Sequence, residues 1–90
     1  MLKTIEWIVV PGGPGISKSY LQTPLDSIFE GCKLHYYDPY GTYQANSSEP
    51  VTLTSLVTQI FEVADSLKLK NFGIIAHSFG TYLTLRALDL

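Results

Sequence analysis

Between Phe72 and Thr84 the chain changes from a strand pattern to a helix pattern across one serine, and no other feature constrains its fold as tightly. Phe72 to Ala76 is short and almost wholly apolar, as a parallel strand buried on both faces must be. Tyr82, Leu83, Leu85 and Leu88 then recur at near-helical spacing. Ser78 stands at the join, with Ala76 and Gly80 two positions to either side. Small residues there let neighbouring backbone pass close to the serine in a sharp strand-to-helix turn. The pattern is G-x-S-x-G with alanine for the first glycine, a substitution that keeps the residue small. An ordinary turn serine is the plainer alternative, and the strand before and helix after weigh against it.

The chain has 90 residues, enough for one small domain, domain 1–90. A chain of that size buries between roughly 60% and 70% of its unfolded surface, so its stability margin is thin. Hydrophobic residues make up 46% and charged residues 16%, a balance that argues against disorder and leaves apolar surface seeking a partner. The six lysines and arginines are scattered and the net charge is −2, so there is no basic stripe to hold a phosphate backbone, and nucleic acid is not an expected partner. The lone Cys32 excludes an internal disulfide framework and gives no zinc pattern; it fits a reducing compartment. The apolar run Ile5 to Val10 is too short for a bilayer and is interrupted by Glu6. It ends in Pro11-Gly12-Gly13 without a cleavage pattern. A soluble, cytoplasmic chain without membrane contact is the expectation.

Thr4 to Val10 reads as a first strand that stops at the Pro-Gly-Gly turn. Ser17 is placed to cap a short helix through Leu21, and Pro24 suits the first position of a second one, Leu25 to Phe29, ended by Gly31. Lys33 to Asp38 alternates as a second strand and opens into a polar loop from Pro39 to Pro50. Leu53 to Leu67 is the clearest helix, with Leu53, Leu56, Val57, Ile60, Phe61, Ala64 and Leu67 on one face and Gln59, Glu62, Asp65 and Ser66 opposite. Thr52 or Thr54 is its expected cap. Strands alternate with helical segments throughout. Right-handed crossovers then imply an α/β fold, a three-stranded parallel sheet with helices on its faces. Such a sheet exposes both edges, a route to self-association, and the last helix reaches Leu90 without a stop signal.

A serine hydroxyl becomes a nucleophile when a base takes its proton and an acid orients that base. The turn supplies the remaining parts: an exposed hydroxyl, and the backbone N–H of Phe79 at the helix start, aimed where an oxyanion develops. A second donor must come from another loop. Pro11-Gly12-Gly13-Pro14-Gly15 follows the first strand, and Gly13 is the candidate because Pro14 has no N–H. The two histidines are poor bases for Ser78. His77 is adjacent on a sharp turn, where side chains diverge, and reads as a packing residue; His35 lies within a strand. Asp38 reads as an acid or, more plainly, as a turn-capping residue before Pro39, and the loop tyrosines read as partly packed aromatics. A glycine loop after a first strand and an acid ending the second also describe a dinucleotide site. Against it, Gly13-x-Gly15-x-x-Lys18 lacks a third glycine, and Pro11 and Pro14 remove two backbone donors.

These residues resemble the first half of the α/β-hydrolase fold, and most of all the proline iminopeptidases. Pro11-Gly12-Gly13-Pro14-Gly15 is similar to the family's His-Gly-Gly-Pro-Gly oxyanion loop. Asp38-Pro39-Tyr40-Gly41-Thr42-Tyr43 is similar to its Asp-Gln-x-Gly-Ser-Tyr segment, and Ala76-His77-Ser78-Phe79-Gly80 to its Gly-His-Ser-Trp-Gly elbow. The resemblance spans nearly all of the chain. It implies a partial, three-layer α/β-hydrolase core, with Ser78 as nucleophile, the N–H groups of Gly13 and Phe79 as oxyanion donors, and a cis bond before Pro14. It implies small peptides or esters as substrates of a full-length form, and no cofactor or metal. The family's acid, its histidine and its lid follow later strands, so the 90 residues are expected to be inactive alone. A non-catalytic interaction module derived from such a half is the alternative from another class.

Overall fold

The computed structural model describes residues 5–13 and 15–89. Three strands, β1 (Glu6–Val10), β2 (Lys33–Tyr36) and β3 (Phe72–Ala76), alternate with three helices, α1 (Ser19–Ile28), α2 (Leu53–Ser66) and α3 (Phe79–Leu88). Both strand pairings are parallel, and the order across the sheet is β2-β1-β3. β1 is central because its apolar run serves both faces: Ile8, Val9 and Val10 are fully buried. Side chains alternate along it. Ile8 and Val10 enter a core with Leu56, Val57, Ile60, Ala64, Leu83 and Ala87, which places α2 and α3 together on one face. Trp7 and Val9 point to the other face, where Leu34 and Tyr36 of β2 meet α1; the Tyr36 hydroxyl donates to Asp26 Oδ1 at 2.6 Å. The result is three layers, as the alternation of elements predicts.

The elements depart from the sequence reading at several points. The first strand begins at Glu6 among the described residues, and its predicted start at Thr4 lies outside them, as do Leu90 and the bond before Pro14. The two helices expected between Ser17 and Phe29 are one, Ser19–Ile28, because Pro24 sits inside α1 and the helix continues on both sides of it. Its N-cap is Lys18, not Ser17, and the Lys18 amide donates to Asp38 Oδ1 at 2.9 Å. β2 stops at Tyr36, two residues short of Asp38, and a single 3-10 turn, Tyr43–Ala45, interrupts the polar loop.

α2 forms as its periodicity demands. Thr52 is the cap, in a reciprocal box with Ser55 that satisfies two orphan amides and contributes about 1 kcal/mol. Gln59 is the exception to its two-faced pattern: it is buried, not solvent-facing. It accepts from the Tyr40 amide at 2.9 Å and donates to the Asp38 carbonyl at 3.2 Å. The loop after β2 lies over this part of α2 and supplies the polar partners that burial of an amide side chain requires. α3 also differs, since Tyr82, Leu85 and Leu88 are exposed and only Gly80, Leu83 and Ala87 are buried. Its core-facing stripe is therefore narrower than its apolar content.

Candidate functional site

The site gathers at the carboxyl ends of β1 and β3, where open parallel sheets present their loops. β3 extends its pairing by one bond, from the His77 amide to the Val10 carbonyl at 3.2 Å. The chain then turns sharply. Ser78 has φ 55 and ψ −123, a left-side conformation that a residue with a Cβ adopts only under strain. Two tight bonds follow, Gly80 N–H to the His77 carbonyl and Thr81 N–H to the Ser78 carbonyl, both at 2.9 Å, and α3 begins. As the first helical residue, Phe79 has an N–H with no intrahelical acceptor. The side chain of Ser78 is exposed at this corner.

Glycines let the two loops meet. A Cβ on Gly80 would lie 2.5 Å from the carbonyl oxygens of both Val10 and Pro11, so α3 packs directly on the backbone leaving β1. A Cβ on Gly12 would come within 3.2 Å of Ser78 Cβ, which sets the glycine loop against the serine itself. Gly13 has φ 125, a conformation reserved for glycine, and lies one peptide beyond this contact. The structure thus brings Ser78, Phe79 and the Gly12-Gly13 backbone into one corner. Pro14 is outside the described residues.

Other residues singled out in the sequence fall elsewhere. His77 is exposed rather than packed: its ring turns towards α1, where Nδ1 meets the Tyr20 hydroxyl at 2.8 Å. His35 lies on β2 across the whole width of β1, and its Nε2 donates to Glu6 Oε1 at 2.7 Å. Asp38 neither caps its own turn nor stands free for a ribose. Its carboxylate accepts the Lys18 amide and lies 3.9 Å from Lys18 Nζ, which anchors the start of α1 to the end of β2. Among the tyrosines, Tyr37 is buried and burial pushes its hydroxyl up, while Tyr43 is 94% exposed. The Tyr40 hydroxyl is pushed up to about 12 by its bond to Glu62, and that of Tyr36 to about 12 by burial and Asp26. Both remain neutral donors at physiological pH.

Two contributors escape sequence reasoning. Tyr20 carries its hydroxyl to the Gly12 amide at 2.6 Å as well as to His77, and Gly12 itself is the contact glycine. The only signal for Gly12 is its place in a glycine pair, and nothing in the pattern around Tyr20 marks it. Among the described residues no group of three or more histidine, cysteine or acidic side chains is placed to hold a metal, and no helix is long and apolar enough to cross a membrane.

No family model and no curated protein matches this sequence. Among solved structures, the chain is similar to the crystal structure of a proline iminopeptidase-related protein from Thermus thermophilus, at 28% identity and a TM-score of 0.85. The match covers 97% of this chain and 32% of that one, so the chain spans less than a third of the relative's length.

Proposed function

We propose that these residues form the nucleophile and oxyanion-binding part of a serine hydrolase similar to the proline iminopeptidases, with small peptides or esters as its substrate class. The observation that carries the reading is the strained backbone of Ser78 between the edge strand β3 and a helix, with close approach of Gly12 from the loop after β1. The likeness to a proline iminopeptidase-related protein supports the same reading. In this mechanism the Ser78 hydroxyl attacks a carbonyl carbon while its proton passes to a base. The charge that develops on the carbonyl oxygen accepts the N–H groups of Phe79 and Gly13. Collapse of the tetrahedral intermediate expels the amine or alcohol, protonated by the same base, and leaves an acyl-serine that water then hydrolyses.

The base is not one of the two histidines. His77 has its Nδ1 engaged by Tyr20, and His35 is held by Glu6 on the far strand. With both histidines so engaged, the chain alone is expected to show only the residual stabilisation that oxyanion donors give. A fluorophosphonate probe followed by peptide mass spectrometry tests both parts. Slow labelling confined to Ser78, and lost in Ser78→Ala, is expected. A label spread as readily over Ser47 and Ser48 would remove the special status of Ser78, and rapid labelling of the isolated chain would remove the need for an outside base.

A second reading, a non-catalytic module that pairs with another copy, is favoured by one observation. Tyr82, Leu85 and Leu88 form an uncovered apolar face on α3, beside a sheet with two open edges.

A further inference from the structure

We infer that Tyr20 is the positioning residue of this corner: its single hydroxyl fixes the glycine loop and the tautomer of His77 together, and so holds the oxyanion donors in register with Ser78. The inference takes the purpose of the corner from the hydrolase reading above, and takes the contact itself from geometry. A tyrosine hydroxyl has one proton to give and two lone pairs to receive. The Gly12 N–H donates to it at 2.6 Å and uses one lone pair. The second lone pair would equally admit an Nδ1–H donor, so the 2.8 Å contact with His77 Nδ1 fits either direction, and the proposal is that the hydroxyl proton goes to Nδ1. In that direction Nδ1 carries no proton, and the His77 proton resides on Nε2.

The glycine loop, α1 and the turn after β3 thus meet on one oxygen atom. The His77 backbone is already bonded to Val10 and Gly80, so fixing its ring immobilises the residue that precedes Ser78. Gly12 leaves no room for a Cβ beside the serine, and Gly13 follows it by one peptide, so a shift of Gly12 displaces the proposed donor directly. Tyr20 itself is steady because α1 is tied at its start to Asp38. The tyrosine and histidine rings also pack, with centroids 5.5 Å apart at 57°. Phenylalanine at this position keeps the ring contact and removes the oxygen alone.

The test uses nitrogen-15 NMR of the His77 ring and hydrogen exchange of the Gly12 amide in the wild type and in Tyr20→Phe. The wild type is expected to show the Nε2–H tautomer and a protected Gly12 amide. In Tyr20→Phe the ring becomes a tautomer mixture and Gly12 exchanges about tenfold faster, the effect of losing one net hydrogen bond. An Nδ1–H tautomer in the wild type overturns the inference without any variant, which covers the case of a variant that does not fold. So does a folded Tyr20→Phe with both signals unchanged. Phosphonate labelling of Ser78 is scored separately. It judges the hydrolase reading, and the ring and amide signals judge Tyr20.

Discussion

Ser78 keeps a backbone conformation that costs a residue with a Cβ about 1–3 kcal/mol, and the surrounding bonds over-determine it. Glycine would adopt the same angles freely, at the expense of greater freedom in the unfolded chain, worth about 0.4–1 kcal/mol. Ser78→Gly is therefore expected to be more stable than Ser78→Ala by about 1 kcal/mol, a rise in Tm of about 4–8 °C for a domain of this size. Thermal unfolding followed by circular dichroism measures it, and equal Tm values for the two variants would mean that the turn is unstrained. The join was legible in the sequence because its determinants are local: a strand pattern, two small residues and a helix pattern within a few positions. Tyr20 was not legible, because its partner His77 is 57 positions away and neither residue is placed by periodicity. The exposure of His77 was missed for the same reason. Local spacing says that adjacent side chains diverge, and only the fold says that α1 waits on the other side.

At the level of elements, the sheet and α2 follow from pattern, whereas the side chains that join elements do not. Gln59 looked solvent-facing because helical spacing ignores the loop that covers it, and α1 looked like two helices because a proline was read as a beginning. β1 and β2 are joined at their open end by Glu6, which receives His35 and lies 3.5 Å from Lys33. The His35 hydrogen bond, helped by the charge of Lys33, holds the Glu6 carboxyl below its ordinary value of 4.5. A carboxylate with a lowered folded value stabilises the fold above the unfolded value and loses that contribution as pH falls through the folded one. Glu6→Gln should therefore melt below the wild type near neutral pH, with a gap that closes on acidification below 4.5. Melting curves across that range check the sign, and a gap indifferent to acid would show that the pair acts by shape alone. His35 is thereby accounted for as a strand-pairing residue, in keeping with its distance from Ser78.

For the molecule as a whole, the parallel sheet could be anticipated from the alternation of elements but the strand order could not. β3, the apolar run that reads as buried on both faces, is an edge strand with every residue only half-buried. β1, which carries Glu6, is central because strands and helices cover it. β2, with Lys33 and His35, has the charged character of an edge. Tyr82, Leu85 and Leu88 recur at helical spacing, yet among the described residues nothing covers them. An open apolar hollow of about 440 Å³ between Trp7, Phe29, Cys32, Leu34 and Ile75 marks a similar shortfall on the α1 face. The chain exposes 6064 Å², against about 5,200 Å² for a folded monomer of its mass. Surface of this kind drives association. Sedimentation velocity of the isolated chain is expected to show a rise in average mass with concentration across the micromolar range. Leu85→Lys combined with Leu88→Lys should shift the curve back towards monomer, because both side chains are more than half exposed and neither contributes to the core. A monomer at every concentration would mean that the sheet edges and the α3 face tolerate water, and would remove the case for the interaction-module reading. Association abolished by the lysine pair, with Ser78 labelling unchanged, would place the contact on α3 and leave the nucleophile corner independent of it.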